Sequence, residues 1–336
     1  MKTKRSLFSL IALSLVVVFG LFLLGGCGGE EEAAAPPPAA EEGEFPSRTI
    51  EIINQFGPGG GTDIFVRTLG TAATDILRVP VISVNITGGG GVAATEEFLR
   101  RPADGYNIRA IGPEQVINQL MGREDLSQMV PLMRCQYDQS ILSVKKGGKF
   151  NTIQDVVEYA KANPGALTVA GTDAAGYDEV LVNMWAQKAG IEVKYVSFSS
   201  GAEANAAVLG GHVDVLHEEL GPMRSLIRSG DVIPTVIFLE ERTDLLPDVP
   251  TAKELGWDVA IGRWRGLAVK AGTPEEHMQI LHDAFKEAMD SAIYKAMAEE
   301  NMLNIRPGYL GSEDFKKFID QELTIYEDVL KSLGYI

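Results

Sequence analysis

Residues 56–67 read FGPGGGTDIFVR: Phe56, Gly57, Pro58, Gly59, Gly60 and Gly61 run into Thr62 and Asp63, which open an apolar pattern at helical spacing. Glycines packed between an apolar run and a helix let a partner approach the main chain closely. The first N–H groups of a helix lack intrahelical partners and lie at the positive end of its dipole, so such a turn suits a carboxylate. No catalytic side chain is needed. The plain alternative is a tight turn with nothing bound. Two later turns share the small-residue character: Gly171 to Gly176, through Thr172, Asp173, Ala174 and Ala175, and the segment Phe198, Ser199, Ser200, Gly201.

Rival chemistries need residues that are missing. A Walker-type nucleotide loop requires a Lys after its glycines, and none follows here. In the dinucleotide fingerprint Gly57 and Gly59 fit, but Thr62 stands where the last Gly belongs. His212 and His217 are five residues apart, as are His277 and His282, so neither pair falls cleanly on one helical face. The segment HEELG at His217 lacks the second His of a zinc-protease helix. These histidines read as surface or hydrogen-bonded, and no metal is expected. Around Ser200, Phe198 replaces the first Gly of a serine-hydrolase elbow. The many carboxylates follow helical, solvent-facing patterns, and no pair stands out. The expectation is binding, without catalysis and without a cofactor.

The elements that must carry these turns alternate. TIEIINQF, VPVISVNI and YNIRAIG read as strands, with helices from TDIFVRTLGTAATDIL (apolar at Ile64, Phe65, Leu69, Ala72 and Ile76) and, after the Gly88–Gly91 cluster, AATEEFLRR. The pattern restarts at the strand ILSVKK, and the helix TIQDVVEYAKANPG, stopped by Asn163-Pro164-Gly165, leads to the strand LTVAGT. The helix YDEVLVNMWAQKAG leads to the strand EVKYVSF, and a helix follows Ser199-Ser200-Gly201, with HVDVLHE, VIPTVIFL and GLAVK as further strand candidates. Two helices close the chain. One begins at Thr273-Pro274 with Glu276 completing a capping box, and the other runs from Ser312 to a stop at Gly334. Strands alternating with helices predict parallel βαβ units, and two such series predict an α/β protein of two lobes. Ligands of open α/β sheets sit beyond the carboxyl ends of strands, where the small-residue turns fall.

The ends set the compartment. Lys2, Lys4 and Arg5 precede an apolar run from Leu7 to Leu24, then Gly25, Gly26 and Cys27. That order is a signal peptide's rather than a membrane span's. The tetrad Leu24 to Cys27 resembles the lipobox of bacterial lipoproteins, which implies removal of residues 1–26 and a lipid on Cys27. An ordinary signal peptide or a single anchor is the alternative. Residues 27–45 combine acidic blocks with Ala and Pro and read as a flexible tether. The formal net charge is −16, and loss of the leader removes three positive charges more. Such a surface argues against nucleic acid and anionic headgroups as partners. Only Cys135 remains as a thiol, so no internal disulfide can form and the core must suffice. Roughly 290 residues can supply one.

Several motifs in order resemble the solute-binding proteins of tripartite tricarboxylate transporters, the TctC or Bug family. They are FGPGGGTDIFVR, NITGGGG from Asn85, ADGYNI, AVLGGHVD from Ala207, LLPDVPTAKELG from Leu245 and WRGLAVKAGTP from Trp264. The likeness runs from about Pro46 to the C-terminus. It implies a two-lobed, type II periplasmic-binding-protein-like Venus flytrap, with lobe 1 from 46–136 and 265–336 and lobe 2 from 137–264. It implies a monomeric, exported, lipid-anchored receptor that hands a small organic carboxylate, or an amino acid, to one large and one small integral-membrane carrier subunit. A ligand-sensing lipoprotein feeding a membrane kinase is the alternative. Carried over by position, Phe56 and Pro58 to Asp63 form the first ligand loop, Gly171 to Gly176 the second, and Phe198 to Gly201 close the far side. Thr62, Thr172, Ser199 and Ser200 are the hydroxyl donors. Asp173 enters the second loop, Phe198-Ser199-Ser200 loses a positive side chain in the third, and in NITGGGG Ile86 replaces an Arg; these are departures from the family's pattern. Asp173 either faces the cleft, favouring an amino group, or faces solvent at a helix start. Trp264 either lines the cleft or is buried beside the hinge.

Overall fold

A computed structural model describes residues 44–336. The expected signal peptide, the lipidated Cys27 and most of the tether lie outside the described residues. Phe45, at the expected tether's end, stacks on His277 with ring centroids 3.8 Å apart and sets its edge against Tyr106.

The first half-series is β1 (Ile50–Asn54), α1 (Gly61–Leu77), β2 (Val81–Asn85), α2 (Val92–Arg100), β3 (Asn107–Ile111), α3 (Pro113–Leu120) and β4 (Met129–Tyr137). The second is β5 (Ser140–Lys145), α4 (Ile153–Ala162), β6 (Leu167–Thr172), α5 (Tyr177–Ala189), β7 (Val193–Phe198), α6 (Gly201–Gly210), β8 (Val215–Glu219), α7 (Leu220–Ser229) and β9 (Val232–Ile237). The chain then returns through β10 (Trp264–Lys270), α8 (Glu275–Met289), α9 (Ala292–Glu300), β11 (Leu310–Gly311) and α10 (Ser312–Ser332).

Two sheets result, ordered β11-β4-β10-β3-β1-β2 and β7-β6-β8-β5-β9. β1 pairs in parallel with β2 and β3, and β6 with β7 and β8, as the alternating pattern predicts. Elsewhere the parallel expectation is corrected. β10 runs antiparallel to β3 and β4, and β5 runs antiparallel to β8 and β9. The reason is connectivity. β4 passes almost directly into β5 through Asp138 and Gln139, so the chain crosses between sheets there and crosses back just before β10. The two crossings touch, with the Asp138 N–H donating to the Arg263 carbonyl at 2.7 Å.

Burial follows the apolar pattern with local exceptions. Ile50, Ile52 and Ile53 of β1 are buried, and α1 sets Phe65, Val66, Leu69, Ala72 and Ala73 against the sheet. Ile64 is 41% exposed, because the first turn of α1 stands at the seam between the sheets rather than over the core. Cys135 is buried and unpaired. The expected capping box at Thr273 does not form. Pro274 is the N-cap, and the Thr273 hydroxyl turns back to donate to the Lys270 carbonyl at 2.8 Å. The closing helices are three rather than two: α9 intervenes, capped by Ser291 and anchored by buried Tyr294, Met297 and Ala298. Among the described residues no helix is long and apolar enough to cross a membrane.

Candidate functional site

Three strand-to-helix turns meet where the sheets face each other. Pro58, Gly59, Gly60 and Gly61 are exposed at the start of α1, while Thr62 and Asp63 are buried. Gly59 adopts φ +84°, a conformation that suits glycine. No side chain caps α1 at Gly60, nor α5 at Gly176, so the first amides of both helices lack a capping acceptor. Phe56 is half-buried, and its carbonyl accepts from Asn85.

Several residues expected to face a ligand are instead spent on the loops. The Asp63 carboxylate accepts from the Gly59 N–H at 2.9 Å, from Arg67 at 2.8 Å and from Asn85 at 2.8 Å. Burial alone would raise its pKa, but these three donors outweigh it and bring it to about 2. Asp63 therefore locks the first loop to β2. Thr172 donates its N–H and hydroxyl to one oxygen of Asp178, each at 2.8 Å. The Ala175 N–H goes to Glu179 at 2.7 Å. Asp173 and Ala175 hold φ near +55°, a left-handed backbone that costs non-glycine residues about 1 kcal/mol. In the third turn, Ser200 caps α6 by accepting from the Glu203 N–H, and Ser199 donates its N–H and hydroxyl to Glu203. Asp173 and Ala174 are exposed. Partial withdrawal from water, then the nearby Glu114 carboxylate, push the Asp173 pKa upward.

What the three turns enclose is an ionic cluster absent from the expectations. Arg263 and Arg265 flank Trp264 and share one face of the returning chain, by the alternation of an extended strand. Arg263 pairs with Glu114 of α3, with Asp178 at 2.8 Å and with Glu219 at 2.5 Å. Arg265 pairs with Glu219 at 2.8 Å, lies 3.7 Å from Asp138 and donates to the Thr62 hydroxyl at 3.1 Å. All of these side chains are buried. Each turn touches the cluster. The first does so through Thr62 and through Gly61, where a Cβ would lie 2.8 Å from Arg265 Nη2. The second enters through Asp178. The third enters at Gly201, where a Cβ would lie 2.5 Å from Glu218 Oε2. Two small cavities lie in the seam between the sheets, one of about 10 Å³ under Phe56 and Thr62 and one of about 20 Å³ beside Ile64 and Asp138.

The carboxylates divide by their cations. Burial opposes ionisation of Asp178, but His217 and Arg263 hold its pKa far below the usual range. Arg265 and Arg263 do the same for Glu219. Asp138 is pushed up to about 8 by burial and by the Glu219 charge, and Glu218 up to about 8 by the same causes. The expectation that no carboxylates stand out is thereby corrected, since Glu114, Asp138, Asp178 and Glu219 are buried together. So is the expectation of surface or hydrogen-bonded histidines for His217, which is 2% exposed and stands 3.5 Å from Asp178 through Nδ1, with neither ring nitrogen in a hydrogen bond among the described residues. Among the described residues no group of three His, Cys, Asp or Glu is arranged to hold a metal. Trp264 points away from the cluster. It is fully buried at the start of β10, donating to Glu322 at 3.1 Å and meeting Phe315 and Phe318 edge-on.

The family model described as tripartite tricarboxylate transporter family receptor matches residues 65–335. A UPF0065 protein of Cupriavidus necator is 29% identical over 305 residues, 87% of this chain and 89% of that protein. BugT of Bordetella pertussis is 26% identical over 298 residues, covering 86% of this chain and 90% of its own. Among solved structures, MatC from Rhodopseudomonas palustris with bound malate has a TM-score of 0.73 at 23% identity, over 85% of this chain and all of that one. An R. palustris protein with adipate has a TM-score of 0.76 at 20% identity, over 87% and 99% of the two chains. These likenesses show a two-lobed α/β fold.

Proposed function

Because this chain belongs to the tripartite tricarboxylate transporter family receptors, we propose that it captures a small organic carboxylate in the seam between its sheets and delivers it to an integral-membrane carrier. One observation carries the reading: turns from both sheets converge on a single arginine-centred cluster beside two uncapped helix starts. A carboxylate there would take the free amides of Gly61 and Thr62 and part of Arg265, whose guanidinium already reaches the first loop. The proposed ligand loops are Phe56 with Pro58 to Asp63, Thr172 to Gly176 and Phe198 to Gly201, with Asp63, Ser199 and Ser200 shaping them. Lobe 1 would comprise 46–136 and 265–336 and lobe 2 137–264, hinged where Asp138 meets Arg263. Malate and adipate in the two similar structures support the ligand class. Export and a lipid on Cys27 would hold a monomeric receptor outside the cytoplasmic membrane. No turnover is part of this reading.

The test is native mass spectrometry of the protein as purified, comparing intact and denatured masses. A small carboxylate released unaltered on denaturation is the expected result. Release of a chemically converted product would replace capture with catalysis.

A further inference from the structure

The second turn holds a conformation that its own residues resist. Asp173 and Ala175 are left-handed, at φ +53° and +55°, and neither is a glycine. Such a backbone persists only where its surroundings hold it. Three holds are present. Asp178 takes the Thr172 N–H and hydroxyl, the Tyr195 hydroxyl donates to the Thr172 carbonyl at 2.5 Å, and Glu179 takes the Ala175 N–H at 2.7 Å. Asp178 is buried and Tyr195 comes from the neighbouring strand β7. Glu179 is only half-buried, and its side chain reaches back four residues on an arm with several free rotations. It is the hold that needs a further partner.

That partner comes from beyond the second sheet. The same Glu179 oxygen that accepts the Ala175 N–H also accepts from the Tyr335 hydroxyl, at 3.1 Å. Tyr335 is held there by the way α10 stops. Gly334, at φ +74°, turns the chain back, its N–H donating to the Lys331 carbonyl and the Tyr335 N–H to the Leu330 carbonyl. These are the paired bonds of a Schellman motif. Three residues before Tyr335, Ser332 Oγ accepts from Gln187 Nε2 at 2.5 Å, which fixes the same end of α10 to α5. α10 packs on β4 of the first sheet and α5 on β6 and β7 of the second, so both bonds cross between the sheets. We propose that Tyr335 is a positioning residue for the second ligand loop, fixing Glu179 so that the Ala175 amide stays bound and the loop keeps its left-handed turns. The loop's shape thereby depends on how α10 is seated against α5. The inference rests on the solute-capture reading and adds to it a residue far from the loop in sequence.

Hydrogen exchange of the Ala175 amide in the full purified chain reads the positioning without any ligand. Tyr335→Phe deletes only the hydroxyl and should speed that exchange at least about threefold. Ser332→Ala breaks a bond between the same two helices that does not touch the loop, and should leave the exchange within about 1.5-fold. In a Glu179→Ala background, Tyr335→Phe should change nothing further, since the two side chains act as one unit. Calorimetry with succinate and with glutarate adds the binding arm. Tyr335→Phe should weaken whichever of them binds by at least about threefold, and Ser332→Ala by less than about 1.5-fold. Unchanged Ala175 exchange in Tyr335→Phe would overturn the proposal. So would equal effects of Tyr335→Phe and Ser332→Ala, which would make both residues plain docking contacts of α10. Faster exchange with undiminished affinity for a probe that the parent binds would also overturn it, by removing the loop from the solute. Binding of neither probe by the parent would count against solute capture and leave the exchange comparison to decide the role of Tyr335.

Discussion

Arg265 Nη2 lies 2.8 Å from Glu219 Oε2, and the two residues belong to different sheets: Arg265 to β10 and Glu219 to the end of β8. The pair ties the returning strand to the second sheet at the point where the proposed solute would enter. Both partners are buried, so their attraction must offset a large loss of hydration, and removal of one partner is costlier than replacement of both.

Arg265→Leu should therefore destabilise the protein by about 3–5 kcal/mol, since it leaves Glu219 and Asp138 without their shared cation. Arg265→Leu combined with Glu219→Leu should recover most of that loss. Urea midpoints of the single and double variants measure both. A single-variant loss below about 1 kcal/mol would mean the pair is solvated and contributes no more than a surface bridge.

The first loop gives a prediction in acid. Asp63 has a folded pKa of about 2 against an ordinary value of 3.8, so its contribution is present above about pH 4 and lost as pH falls through 2. Because Arg67 is half exposed, that contribution is of order 1–2 kcal/mol rather than the full linkage value. Asp63→Asn should lower stability by this amount at pH 7 and by almost nothing at pH 2. It should also weaken solute binding, because the Gly59 amide loses its anchor. Parallel stability curves for variant and parent across that range would remove Asp63 from the role.

Much of the fold was legible because the strands and helices that build it are locally consistent. Ile50, Ile52 and Ile53 announce β1, and the turn at Asn163-Pro164-Gly165 ends a helix pattern just before LTVAGT. The three turns were legible as turns from their small residues. The cluster they enclose was not, because its members come from α3, α5, β8 and the two crossings, far apart in sequence. One local signal existed: two arginines flanking Trp264 in an otherwise apolar strand, IGRWRGLAV, put two charges on one face that must be buried or paired. HEE before Leu220 was a weaker signal of the same kind. The missed β4 and α7 carry charges and a Pro within their apolar runs, which blurs the period. The unformed capping box at Thr273 shows that a motif can be present while its hydroxyl finds another acceptor.

Neighbouring glycines of the first loop should behave differently. A Cβ at Gly60 would meet only the Gly57 carbonyl, at 3.6 Å, in ordinary contact, whereas one at Gly61 would sit 2.8 Å from Arg265 Nη2. The guanidinium cannot retreat freely, because Glu219 and Thr62 hold it. Gly60→Ala should leave affinity for the co-purifying solute within about twofold, and Gly61→Ala should weaken it by about tenfold or more. Calorimetry on both variants decides this. Equal affinities would place the carboxylate away from the α1 start. A bulky residue at Gly60, by contrast, should block entry over the same turn.

Behind Trp264, Glu322 of α10 is 1% exposed and accepts from Trp264 Nε1 at 3.1 Å and from the Tyr326 hydroxyl. Burial raises its pKa to about 7, although Tyr326, Trp264, Arg134 and Arg306 all favour the charged form. A carboxyl whose folded pKa exceeds its unfolded value holds its proton in the native state. Its contribution is full below about pH 4 and is lost as pH rises through 7. Glu322→Gln keeps the shape and cannot ionise, so it should lose less stability than the parent between pH 4.5 and 7.5. The difference should reach up to about 3 kcal/mol. Asp138 and Glu218 shift in the same direction but are common to both proteins, so the comparison isolates Glu322. Urea titrations at the two pH values and fixed ionic strength measure it. If variant and parent lose stability equally, the Glu322 carboxyl is already ionised beneath Trp264, held by the arginines behind it.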